Sequence, residues 1–152
     1  MEKRFGIVVL FAILFSIAPV VVGGDGLRLF RVSTITQEAC RFYKMPFWNV
    51  FKMWMVEDPK LLEDAEYAPK ACEYAWGVPR LLGSTARGLG YKGKYSDLKK
   101  YEVSIPLGVK HFHYLYRKHK GDMKRVCQEW SGGPKFRGLW YWKKYSSLKG
   151  GD

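Results

Sequence analysis

Apolar residues recur along most of this chain at intervals of three and four, the period of a helix with one buried face. The clearest run is Phe47, Val50, Phe51, Trp54 and Met55, which predicts a helix over 47–57 that starts behind Pro46 and stops at Asp58-Pro59. An earlier helix is predicted over 35–44, capped by Ser33-Thr34 with Glu38 in its first turn. The polar stretch from Glu63 to Glu73 reads as loop or broken helix. Further helices are expected over 79–89, ending at Gly88-Leu89-Gly90, and over 106–119, where Leu107, Val109, Phe112, Leu115 and Tyr116 can be buried. Between them Gly90-Tyr91-Lys92-Gly93 is a turn-rich connector. Gly121-Asp122 breaks the chain before a short helix over 123–130, closed by Ser131-Gly132-Gly133-Pro134. Strand-like alternation is almost absent, so the expected class is all-α.

The N-terminus changes the picture of where this domain works. Glu2, Lys3 and Arg4 precede an apolar stretch over 5–22, and Val22-Gly23-Gly24-Asp25 offers a small-residue cleavage site. Residues 1–24 therefore read as an export signal. The alternative is an uncleaved anchor attaching the chain to a membrane through residues 5–22. Both put residues 25–152, one domain with its core over about 35–145, outside the cytoplasm, in the periplasm or cell envelope. The charge of +12 is uneven: residues 25–79 carry 7 Lys+Arg against 8 Asp+Glu, residues 80–152 carry 17 against 5. A basic second half suits an anionic or wall-associated partner, or a solvated surface with none. Cys40, Cys72 and Cys127 allow one disulfide or three buried thiols, and their wide spacing does not suit zinc.

Four segments in order resemble a known family. Tyr43-Lys44-Met45-Pro46 and the helix to Met55-Val56-Glu57-Asp58 look like its "Y-g-v-p…aiivES" opening. Gly77 to Arg87 resembles "GLMQ…P-x-TA", and Val103-Ser104-Ile105-Pro106-Leu107-Gly108 is similar to "dPe-x-NI-x-LG". Gly121-Asp122 and Glu129-Trp130-Ser131-Gly132-Gly133-Pro134 look like "gd…aYNaGp". The family is the soluble lytic transglycosylases, whose fold is the all-α lysozyme-like one. The resemblance implies cleavage of the β-1,4 bond between N-acetylmuramic acid and N-acetylglucosamine in peptidoglycan glycan strands. No metal, cofactor or nucleic acid takes part; the product carries a 1,6-anhydromuramoyl end, and the protein is expected to be a monomer.

One protonated glutamate suffices for that reaction, and it needs an apolar site that raises its pKa. Glu57, closing the apolar helix, is the candidate acid; Glu63 is the rival, and Glu38 reads as a first-turn residue. The resemblance assigns substrate contacts to Asp58, Tyr74, Gly77, Arg80, Trp130, Ser131 and Gly132. At four of these the chain departs from the pattern: Asp58 stands for serine, Arg80 for glutamine, Trp130 for tyrosine and Ser131 for asparagine. A degenerate relative that binds the wall or a secretion partner without turnover is therefore the alternative. Nucleic-acid or anionic-membrane binding through the basic half is a third reading. His111, His113 and His119 match no two-histidine metal spacing and read as surface or core residues. Trp140, Tyr141, Trp142 and Tyr145 either line a sugar cleft or fasten the C-terminal segment to the core.

Overall fold

The computed structural model describes residues 24–61, 66–67, 75–132 and 139–149. The export segment, Glu63, Cys72 and Tyr74 lie outside them. Six helices carry the described chain: α1 (Gly24–Tyr43), α2 (Phe47–Glu57), α3 (Gly83–Gly88), α4 (Tyr101–Lys118), α5 (Met123–Gly132) and α6 (Leu139–Ser147). The largely helical class predicted by the apolar pattern is what the chain adopts. A 3-10 turn covers Tyr95–Lys99.

The pattern did not predict a small antiparallel sheet. Strands β1 (Glu66–Tyr67), β2 (Ala75–Trp76) and β3 (Leu81–Leu82) lie in that order, with Tyr67 opposite Ala75 and Ala75 opposite Leu82. Two-residue strands are too short to show a period of two, so no alternation could announce them. They also take the start of the helix expected over 79–89, which begins only at Gly83.

The first helix is longer than expected. Ser33 and Thr34 do not cap it; each hydroxyl donates to the Phe30 carbonyl at 2.9 Å, inside the helix. Hydroxyls of this kind can return to a carbonyl one turn back as readily as they can cap. The α2 boundaries and the break at Asp58 hold as read, with the Asp58 amide donating to the Trp54 carbonyl at 2.8 Å. α4 starts five residues early and carries Pro106 inside it. Its end is the predicted one, the Gly121 amide closing on the Tyr116 carbonyl at 2.9 Å.

α1 packs on the central helix α4 and on α2, α5 packs on α4 and on α6, and α6 returns to α2. The shared core includes Val32, Val50, Met53, Trp54, Val109, Phe112, Leu115 and Val126, all essentially without solvent contact. Burial of side chains this size stabilises the fold by about 1.5–3 kcal/mol apiece. Cys40 and Cys127 are free thiols in that core, with burial pushing each up to about 12.

Two glycines set the seating of the turn Gly77–Arg80 on α4. A Cβ on Gly108 would come 2.7 Å from Pro79 Cγ and 2.8 Å from Trp54 Cη2. Gly77 has φ +67°, and a Cβ there would lie 2.5 Å from both the Leu98 carbonyl oxygen and Ser104 Oγ. Close approach at one position and a left-handed backbone at the other leave room for hydrogen only. This seating matters because the turn delivers Arg80 beside the end of α2.

Candidate active site

α2 ends where the core opens. Its last residue, Glu57, follows the buried Met53, Trp54 and Val56 and projects into a cleft instead of continuing the apolar face. Two side chains from distant sequence converge on one oxygen. Trp130 Nε1 donates to Glu57 Oε1 at 2.7 Å, and the Tyr141 hydroxyl donates to the same oxygen at 2.8 Å. Glu57 Oε2 makes no hydrogen bond to the described residues. Trp130 comes from α5 and Tyr141 from α6, so three helices fix one carboxyl group.

Burial raises the Glu57 pKa above the ordinary carboxylate value. The Tyr141 and Trp130 hydrogen bonds, then the Arg80 and Lys144 charges, pull the other way without cancelling it. An indole N–H can only donate, and burial pushes the Tyr141 hydroxyl well above its usual range, so it also stays protonated. Oε1 therefore accepts in both protonation states, which leaves Oε2 to carry the proton toward the cleft.

The cleft has two lobes that share Glu57, Arg80 and Ser131. One, of about 260 Å3, runs along β3 past Leu81, Leu82 and Thr85 to Trp130 and His111. The other, of about 490 Å3, is bounded by Val56, Trp140, Tyr141 and Lys144. A carboxyl at the junction of two lobes can reach a bond whose two sides lie in different lobes. Lys144 Nζ donates to the Val56 carbonyl at 2.7 Å, which ties α6 to the last turn of α2.

Glu57, Arg80, Trp130 and Ser131 come together as the sequence predicts. Of the other expected contacts, Asp58, Gly77 and Gly132 do not line the cleft. Asp58 is 4% exposed and does not line the cleft; its Oδ1 accepts from the Lys60 amide at 3.1 Å, where it orders the turn after α2. Gly77 lies behind the cleft, packed on Leu98 and Ser104, and acts through the turn that carries Arg80. Gly132 is the exposed last residue of α5. The expected role of Tyr74, like the rival acid Glu63, falls outside the described residues.

The C-terminal aromatic run divides between the cleft and the core. Trp140 and Tyr141 line the cleft, whereas Trp142 and Tyr145 stack at 5.8 Å and pack against the core. Sequence reasoning read His111 as a surface or core residue and did not single out Thr85 or Lys144. His111 alone carried a signal, since its position and that of His113 fall on different sides of one helix; His113 packs on Tyr43 at 5.5 Å. Among the described residues no group of three or more His, Cys, Asp or Glu could hold a metal ion, and no helix is long and apolar enough to cross a membrane. No family model, curated protein or solved structure matches the chain.

Proposed function

We propose that this protein is an exported, monomeric lytic transglycosylase of lysozyme-like fold that cleaves peptidoglycan glycan strands in the cell envelope, with Glu57 as its only proton-transfer residue. The observation that carries the reading is the Glu57 carboxyl. Its pKa is raised by burial, two donors hold it through Oε1, and it stands at the junction of two cleft lobes with Oε2 unbonded to the described residues.

The proposed chemistry uses that arrangement. Oε2–H protonates the glycosidic oxygen between N-acetylmuramic acid and N-acetylglucosamine as the muramoyl C1–O bond breaks. The leaving sugar departs with a 4-hydroxyl, and positive charge builds at C1. Glu57, now a carboxylate stabilised by Trp130 and Tyr141, takes the proton of the muramoyl 6-hydroxyl as that oxygen bonds to C1. The ring closes as the 1,6-anhydro product, and Glu57 is protonated again with no water consumed. A second carboxylate is unnecessary, in contrast to hydrolytic glycosidases, and Asp58 is turned away from the cleft.

The test is digestion of purified peptidoglycan with mass analysis of the products. Anhydromuropeptides from the wild type that disappear in E57Q and persist in E63Q support the reading. Loss in E63Q but not E57Q moves the acid to Glu63. Retention on sacculi without products from either form supports a binding protein, the reading that the replacements at Arg80 and Ser131 favour.

A further inference from the structure

His111 stands in the cleft without a task in the proton transfer. It projects from α4 into the lobe that also holds Arg80, Thr85, Ser131 and Glu57. Its ring lies 5.0 Å from the Trp130 ring at 40°, and Trp130 is the residue that grips Glu57. The Tyr114 ring lies 6.5 Å away at 14°. Neither ring nitrogen has a hydrogen-bond partner among the described residues, and neither is sealed from solvent. A polar ring beside two aromatics, lining a cleft and with its nitrogens unbonded to the described residues, has the means to hold a ligand. His119, eight residues on, shows the contrast: its Nε2 is taken up by Glu129 at 2.6 Å.

The charge state narrows the ligand. Burial pulls the His111 pKa down to about 4, against the opposing pull of Glu129, so the ring is neutral at ordinary pH. A neutral imidazole offers one donor and one bare acceptor nitrogen. The neighbours are short of acceptors: Arg80 only donates, the Trp130 N–H is spent on Glu57, and the Glu57 carboxyl is reserved for proton transfer. Thr85 and Ser131 add hydroxyls, with that of Ser131 donating to the Gln128 carbonyl at 3.2 Å. A neutral ring gains little from an anion, and its bare nitrogen suits a neutral N–H or O–H donor.

We propose that His111 is a substrate-binding residue whose unprotonated ring nitrogen accepts the amide N–H of an N-acetylated sugar seated in this lobe, beside the bond that Glu57 protonates. The proposal rests on the glycan-cleaving reading of the cleft and deepens it by assigning the acetamido contact. Because the contact exists before and after bond breaking, it lowers KM more than it raises kcat.

The experiment titrates protein carrying 15N-labelled histidine with the tetramer of N-acetylglucosamine, following the ring nitrogens by NMR. The same titration is run on H111L and H111Q, and all three are assayed on peptidoglycan. Expected are movement of the His111 acceptor-nitrogen resonance on saturation, an affinity lower by about tenfold in H111L, and near-normal affinity in H111Q, whose amide keeps an acceptor. On peptidoglycan H111L raises KM more than it lowers kcat. A wild-type resonance that stays still at saturation overturns the proposal even if H111L fails to fold, and so does an H111L protein that binds the tetramer as tightly as the wild type. A wild type that neither binds the tetramer nor cuts peptidoglycan overturns the glycan reading itself, and the assignment of His111 with it.

Discussion

Replacing Tyr141 with phenylalanine removes one donor from Glu57 Oε1 and leaves the Trp130 bond and the ring packing in place. A hydrogen bond to a charged acceptor contributes about 1.5–3 kcal/mol, and one to a neutral acceptor about 0.5–1.5. The 2.8 Å Tyr141 bond therefore favours the carboxylate over the acid by about 1–1.5 kcal/mol, or about one pH unit at 1.36 kcal/mol per unit. Its loss raises the Glu57 pKa further, because only burial and weaker opposing contacts remain. Two effects follow with distinct signatures. The alkaline limb of the pH–rate profile moves up by about one unit, since the acid stays protonated to higher pH. On the acidic plateau kcat falls about tenfold, because the carboxylate formed in the transition state has lost a donor. Both are read from anhydromuropeptide release measured between about pH 4 and 9. An alkaline limb in Y141F that stays put or moves to lower pH refutes the assignment of Glu57 as the acid held by Tyr141.

The same carboxyl predicts a pH-dependent stability for E57Q. A carboxyl whose folded pKa lies above its unfolded value costs stability as pH rises through the interval between the two. Thermal unfolding should show E57Q gaining on the wild type from acid to neutral pH, with product formation down about 10²–10⁴-fold. T36V removes the oxygen that accepts from the fully buried Trp54 Nε1 at 3.0 Å. It should cost about 2 kcal/mol, a fall of roughly 6 °C in Tm by calorimetry. G77A meets both a left-handed φ and a 2.5 Å clash, so denaturant unfolding should show a loss exceeding about 1 kcal/mol, with a weaker Arg80-dependent affinity for sugar oligomers in what remains folded.

What the sequence disclosed and what it withheld divide along a physical line. The α2 stripe, the stop at Asp58-Pro59 and the break at Gly121-Asp122 were legible because each depends on residues within one or two turns. Ser33 and Thr34 misled because a hydroxyl before an apolar run can cap a helix or bond back into it, and here the helix already runs from Gly24. The strands left no trace because pairing across a two-residue ladder is a tertiary event. Asp58 misled for a related reason: proximity in sequence to Glu57 says nothing about side once the helix has ended, and the turn captured its carboxylate locally.

Glu57 shows how far local reading can go. Its place at the end of an apolar helix gave the residue type and the burial, which are enough to predict a raised pKa. They do not tell which oxygen holds the proton. That depends on Trp130, 73 residues on, and Tyr141, 84 residues on, both reaching Oε1. Tryptophan was one of four departures that weakened the expectation of catalysis, since it cannot supply a hydroxyl. The fold supplies one from α6 instead. Donors from two helices, Trp130 on α5 and Tyr141 on α6, hold the same Glu57 oxygen. The standing of the site as a catalyst thus turns on a pair of donors, and removing them one at a time is the way to learn whether each does the work of half a clamp.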